Sequence, residues 1–274
     1  MTIVITGAKG RLGSEFVRRG FAPMICDITN RDAIQEQIDL LQPRVIINCA
    51  AWTDVDGAED GENEEAVLRS NLRGPGVLRS VFDGFLIHLS TGFVFDGKSG
   101  PYDEEEIPAP VSFYGWSKLG GEVAARMKEP TLVVRTLDLF GPNTNTDFVR
   151  QIRDMLELGT PYELPTTLFG SPTYIPHLVD GVLSAESKGL AGILNIVGDT
   201  VMSRHKWGRV IAEAFGYDPD LIEPTDEIHG TAPRPLRGGL LVDKAKSHGV
   251  AIFSPQEGLD DLAERSDEWV PDTP

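Results

Sequence analysis

Apolar positions along the chain follow two rhythms. Short uninterrupted runs recur as "TIVIT" (2–6), "PRVIINCAA" (43–51), "FLIHLST" (85–91) and "TLVVRT" (131–136). Rich in β-branched residues and bounded by glycine, proline or polar positions, they predict buried strands. Between them the apolar spacing changes to three and four. That spacing predicts helices from about Arg11 to Arg19, over Glu64–Val81 with Gly74 and Pro75 disturbing it, and after Tyr114, where Leu119, Val123 and Met127 lie one turn apart. Strands alternating with helices through short links predict a parallel α/β sheet covered on both faces. From about residue 141 the rhythm loosens. Proline and glycine become frequent, with short elements such as "ILNIVG" (193–198) and a helix around Lys206–Phe215. No repeat or low-complexity linker interrupts the chain, so a smaller, later-wound domain is expected to pack on the sheet.

Composition narrows this picture. A length of 274 residues suits one large domain or two unequal ones with a sizeable core. The 41% hydrophobic and 24% charged content is that of a soluble globular protein. No apolar run has the length of a membrane span, and "MTIVITGAKG" lacks the basic leader of a signal peptide. Cys26 and Cys49 sit in strand-like contexts and read as reduced thiols, so the expected location is cytoplasmic. A formal net charge of −17 argues against nucleic-acid partners, which need clustered Lys and Arg. A nucleotide ligand would require positive charge gathered locally against that field. The acidic runs Glu62–Glu65 and Asp103–Glu106 read as solvated faces or turns. No His, Cys or carboxylate spacing indicates a metal, and His88, His177 and His205 read as ordinary histidines.

Two stretches carry candidate chemistry. After the first strand comes Gly7-Ala8-Lys9-Gly10-Arg11-Leu12-Gly13, and then a helix. Glycines in a strand–turn–helix corner permit a tight turn and close backbone approach, with the helix N-terminus facing a pyrophosphate. Lys9 and Arg11 are placed to neutralise phosphate, including a 2′-phosphate. Asp27, 20 positions beyond Gly7, is placed to bind a ribose hydroxyl instead, and the two signals conflict. In "FYGWSKLGGEVAARM" (113–127), Tyr114 and Lys118 are four residues apart, hence one turn apart on one helical face. A nearby ammonium favours tyrosinate, so this pairing suits proton transfer.

Together these stretches resemble the extended short-chain dehydrogenase/reductases, and among them the dTDP-4-dehydrorhamnose reductase family. The matching segments run nearly end to end: "TGAKGRLG" (6–13), "CDITN" (26–30), "INCAAWTDVDGAE" (47–59), "LSTGFVFDG" (89–97), "YGWSKLGGE" (114–122), "RTLDLFG" (135–141), "FGSPT" (169–173) and "RPLRGGL" (234–240). The resemblance implies a Rossmann-like dinucleotide-binding domain, 1–140 with 166–196, and a substrate-binding domain, 141–165 with 197–274. It implies an oxidoreductase reducing the 4-keto group of a nucleotide-linked 6-deoxyhexose with NADPH, NADH being the alternative. Thr91 and Tyr114 would flank the carbonyl, with Ser90 as the fallback hydroxyl. Lys118 would lower the Tyr114 pKa and bond the nicotinamide ribose. Gly7, Gly10, Arg11, Leu12 and Gly13 would hold the pyrophosphate. Asp27 and Ile28 would stand at the adenine end, and Ala51, Trp52 and Thr53 would line the cofactor. No metal is implied, and a homodimer is left open.

The chain departs from the family at the sugar. Gly92 and Phe93 replace the Asp and Tyr of a typical S-T-D-Y-V-F segment, Asp138 stands where an aromatic would pack, and Thr167 and Leu168 open the "TLFGSPT" segment. Thr91, Gly92, Phe93 and Asp138 are the candidate sugar contacts. An intact dyad with altered contacts fits a reductase with an altered substrate, and equally a relative that binds a nucleotide and has weak activity. The alternative is a non-catalytic nucleotide-binding subunit resembling the methionine adenosyltransferase regulatory subunit.

Overall fold

The computed structural model describes residues 2–142 and 147–265. Residues 143–146 and 266–274 of the expected second domain, and Met1, lie outside the described residues. In chain order the first half comprises β1 (Ile3–Thr6), α1 (Arg11–Arg18), β2 (Ala22–Pro23), α2 (Arg31–Leu41), β3 (Val45–Asn48), α3 (Glu64–Leu68), a π-helical turn (Arg69–Arg73), α4 (Gly74–Val81), β4 (Phe85–Thr91), α5 (Phe113–Ala125) and β5 (Thr131–Thr136). The second half comprises β6 (Leu139–Phe140), α6 (Phe148–Glu157), β7 (Tyr162–Pro165), β8 (Phe169–Gly170), β9 (Thr173–Tyr174), α7 (Ile175–Ser187), β10 (Gly192–Asn195), β11 (Met202–Ser203), α8 (Arg204–Ala214), β12 (Ile222–Thr225), α9 (Asp243–Ser247) and α10 (Pro255–Glu264).

Six strands form one parallel sheet in the order β10-β5-β4-β3-β1-β2. Its β3, β4 and β5 strands are buried throughout, as uninterrupted apolar runs require. Ile5, Ile47, Ile87 and Val134 face a cluster completed by α1 and α7. Val4, Ile46 and Leu86 face the opposite one, with Ile34 of α2, Leu78 of α4 and Ala125 of α5. The sheet is therefore doubly wound. A separate cluster, including Val149, Ile152, Trp207, Ile211 and Leu259, joins α6, α8 and α10 with β7 and β12.

Two elements depart from the sequence reading. The predicted helix over Glu64–Val81 keeps its direction but contains the π turn Arg69–Arg73. Pro75 has no N–H to give the carbonyl four residues earlier, that of Asn71, so the hydrogen-bond ladder loosens just before it. Helix α5 forms where expected, but the spacing of Leu119, Val123 and Met127 does not mark its buried face. Val123 and Met127 are 65% and 81% exposed, whereas Tyr114, Ser117, Lys118, Gly121 and Glu122 are buried. This helix thus turns its polar side inward.

Candidate active site

The carboxyl ends of the central strands open into a cleft of about 580 Å³, the place where an open α/β sheet binds ligands. Its first wall is the glycine loop. Gly7 has φ +63°, and a Cβ there would strike the Cys49–Ala50 backbone; a Cβ at Gly13 would strike the Gly7 backbone. These two glycines make the corner possible. Gly10 differs. It has an ordinary φ of −77°, lines the cleft, and a Cβ on it would meet only the Gly7 carbonyl, at 3.3 Å. It caps α1 with no side-chain bond and no acidic residue in the first turn, which leaves the leading N–H groups for an anion.

Arg11, Leu12 and Gly13 continue this wall, and Ala51 and Thr53 stand after β3. Arg11 reaches across to donate to the Leu139 carbonyl at 3.3 Å, and its charge acts on Tyr114. It therefore stands at the dyad's end of the cleft, which Lys9 also lines. Asp27, Ile28 and Trp52 do not line this cleft. The Asp27 carboxylate accepts from the Thr29 hydroxyl at 2.7 Å and the Thr29 N–H at 2.9 Å, and pairs with Arg69. Those Thr29 bonds, then Arg69, hold it below its ordinary pKa. Ile28 is buried beneath Gly74, and the Trp52 ring packs in the cluster around Tyr114.

The dyad is set by a helix start. Ser112 caps α5 by accepting the Gly115 N–H at 3.1 Å, which turns Tyr114 and Lys118 inward together. They are 8% and 3% exposed. Lys118 Nζ donates to the Leu89 carbonyl at 2.7 Å. Thr91 interacts with the Tyr114 phenol, and the Phe93 ring meets Tyr114 edge-on at 5.7 Å. Burial pushes Tyr114 up to about 12, against the lowering influence of Thr91 and Arg11. Burial also draws Lys118 down to about 8, against Glu122 and Cys49. The expected depression of the tyrosine by the lysine is thus not what this structure shows. Desolvation opposes the charged form of both groups and outweighs their neighbours.

Ser90, the fallback hydroxyl, is occupied. It donates to Glu122 at 2.5 Å, and Glu122 pairs with Arg135 at 2.8 Å, both almost fully buried. Thr91 is the hydroxyl beside the phenol. On the sugar side, Ser90, Phe93 and Asp138 line the cleft, whereas Thr91 and Gly92 do not. Thr167 is exposed, and the Leu168 carbonyl accepts the Arg204 N–H. Neither lines the cleft.

Several site residues have no separate signal in the sequence. Asn71, in the π turn, accepts the Trp52 N–H at 2.8 Å and donates to the Trp52 carbonyl and to Ser117 Oγ. Ser117 in turn donates to the Tyr114 carbonyl. Gly74-Pro75 marks the disturbance in which Asn71 is held, buried, for this task. Arg204, Arg234, Phe148 and Gln151 come from the second half of the chain, and only the fold brings them to the cleft. Lys9, Arg11 and Lys118 bring positive charge to the cleft of a chain of net −17, whereas Arg204 and Arg234 are paired with Asp138 and Asp56.

A family model described as "RmlD substrate binding domain" matches residues 1–267. A dTDP-4-dehydrorhamnose reductase of Mycolicibacterium smegmatis is 35% identical over 85% of this chain and 76% of its own length. A probable low-salt glycan biosynthesis reductase of Haloferax volcanii is 32% identical over 96% of each. Among solved structures, a dTDP-4-dehydrorhamnose reductase of Bacillus anthracis in complex with NADP superposes with TM-score 0.88 at 26% identity, covering 96% of this chain and 99% of that one. A UDP-glucose 4-epimerase of Thermus thermophilus shares the fold, with TM-score 0.80 at 19% identity. Motifs, fold and comparisons agree: the chain belongs to the dTDP-4-dehydrorhamnose reductase family of extended short-chain dehydrogenase/reductases.

Proposed function

We propose that the protein reduces the 4-keto group of a nucleotide-linked 6-deoxyhexose, using NADPH. The observation that carries this reading is that Tyr114 and Lys118 line the cleft that the glycine loop opens, with the Thr91 side chain hydrogen-bonded to the Tyr114 phenol. The loop suits a dinucleotide: Gly10 leaves room for the pyrophosphate, and α1 presents uncapped N–H groups. When bound, the cofactor supplies the hydride. The chain's own groups do the rest. Thr91 orients the carbonyl oxygen by hydrogen bonding. Tyr114, kept protonated by its raised pKa, gives its proton to the oxygen as charge develops. Lys118, anchored on Leu89, holds positive charge beside the developing tyrosinate and is placed for the nicotinamide ribose.

NADPH is favoured over NADH because Asp27 is already paired with Arg69 and so does not repel a 2′-phosphate, while Lys9 remains available for it. The solved relative that holds NADP agrees. The reading includes the division into residues 1–140 with 166–196 and 141–165 with 197–274, supported by the separate core under α6, α8 and α10. It also includes a cytoplasmic location. Among the described residues no helix is long and apolar enough to cross a membrane.

The test is NADPH oxidation by the purified protein against a panel of dTDP-4-keto-6-deoxyhexoses. Turnover of at least one is expected. Tight NADPH binding without turnover of any, together with capture of a partner enzyme, would establish the regulatory-subunit alternative.

A further inference from the structure

Asp138 is an unusual residue in an unusual conformation. It has φ +51°, one of two positive-φ non-glycine residues among those described. Its backbone is held there, because its carbonyl accepts the Thr173 N–H at 3.1 Å. Its side chain is 9% exposed, and Oδ1 accepts from Arg204 Nη2 at 2.5 Å. Gly170 lies so close that a Cβ there would overlap Oδ2. Arg204 begins α8, and its guanidinium lies 4.6 Å over the Phe148 ring. Both members of the pair line the cleft that also holds Tyr114 and Lys118. Among the described residues, neither Asp138 Oδ2 nor Arg204 Nε and Nη1 has a protein hydrogen-bond partner.

An ion pair built into a ligand cleft replaces an apolar wall with one acceptor and several donors. Its net charge is zero, so it favours a neutral polar group over an added anion. A hydroxyl can donate to the carboxylate while a neighbouring hydroxyl accepts from the guanidinium. The stacked ring and the glycine contact fix both ends, so the spacing is set before a ligand arrives.

We infer that the Asp138–Arg204 pair is a specificity determinant that reads a vicinal diol on the hexose, at C2 and C3, and rejects sugars deoxygenated there. This rests on the proposed reduction of a nucleotide-linked hexose and names the feature of that substrate. A site built to bond a hydroxyl discriminates strongly against its absence, because its own polar groups are then left unpaired.

The test compares a dTDP-6-deoxyhexose, its 2-deoxy counterpart and dTDP alone. Binding is measured by calorimetry with NADPH saturating, beside turnover of the matching 4-keto sugars. The parent should bind the diol sugar about 10²-fold more tightly than the 2-deoxy sugar, short of the largest such ratios because Arg204 is partly exposed. In Arg204→Met the ratio should fall to about threefold, with dTDP affinity unchanged and KM raised more than kcat is lowered. Asp138→Asn tolerates the left-handed backbone and keeps one acceptor, so it should fold and give an intermediate ratio. A parent that turns over both sugars without discriminating, or folded variants that keep the parental ratio, would overturn the inference and leave the reductase reading standing. A parent that neither reduces a 4-keto sugar nor binds any dTDP-hexose better than dTDP would overturn both.

Discussion

At the scale of single residues, the site works through burial. Tyr114→Phe keeps the ring edge-on to Phe93 and removes only the hydroxyl. Because general acid catalysis contributes about 10²–10⁴-fold, kcat should fall by that factor, about 3–5 kcal/mol of barrier, with NADPH affinity nearly unchanged. Lys118→Met should lower both turnover and cofactor affinity. Steady-state kinetics with cofactor titration separates the two outcomes, and full activity of Tyr114→Phe would make the dyad a coincidence of helical spacing. Lys118 also sets a pH limb. Burial draws it down to about 8 from an ordinary 10.5, so it is charged at neutral pH and loses its charge as pH rises through about 8. The kcat/KM for reduction should be level near neutrality and fall on that alkaline side. Between about 8 and 10.5 the unfolded chain holds this proton more firmly than the folded one, so the Lys118 contribution to stability rises with pH over the same window. An activity loss there without loss of folded signal is the expected combination. A flat profile through pH 9 would remove Lys118 from the proton economy of the reaction.

At the scale of elements, the glycine loop separates two duties that the motif presents as one. A Cβ at Gly7 or Gly13 would overlap backbone at 2.6 and 2.1 Å, whereas one at Gly10, which also lines the cleft, would meet only the Gly7 carbonyl at 3.3 Å. Gly10→Val should therefore fold with a thermal midpoint close to the parent's and lose NADPH affinity. Gly13→Val should lose stability outright, because the Gly7 backbone cannot yield without opening the β1–α1 turn. Thermal unfolding with and without NADPH distinguishes them. If Gly10→Val binds NADPH as tightly as the parent, the pyrophosphate lies elsewhere. Helix α5 teaches the converse lesson about legibility. Its existence and the Tyr114–Lys118 face were plain from spacing, but its apolar residues pointed to the wrong side. The interior here is a polar network: Glu122 holds Ser90 and Arg135, and Ser117 links Tyr114 to Asn71. Apolar periodicity cannot register such a face, because the periodicity argument assumes that buried means apolar.

At the scale of the whole molecule, distant motifs meet. Asp56, from "TDVDGAE", accepts from the Thr231 and Ala232 N–H groups and pairs with Arg234 of "RPLRGGL" at 2.6 Å. Burial works against its charge, but these bonds hold its pKa below the ordinary value. The strap carrying Arg234 is thereby tied to the loop that follows β3, and Arg234 reaches the cleft. The amino-acid sequence alone determined the alternation of strands and helices, the glycine corner, the placing of Tyr114 and Lys118 on one helical face, and the family. Each rests on neighbours within a few residues, or on ordered motifs that survive being read in one dimension. It also marked Asp138 as a departure, without its partner. Only the tertiary structure decided that Thr91 rather than Ser90 faces the phenol, that Asp27 is neutralised by Arg69, and that burial sets the Tyr114 and Lys118 pKa values. It alone brought Arg204, 66 residues away, onto Asp138. These outcomes depend on which groups share a dry interior, and desolvation and pairing between segments far apart in the chain leave no periodicity to read.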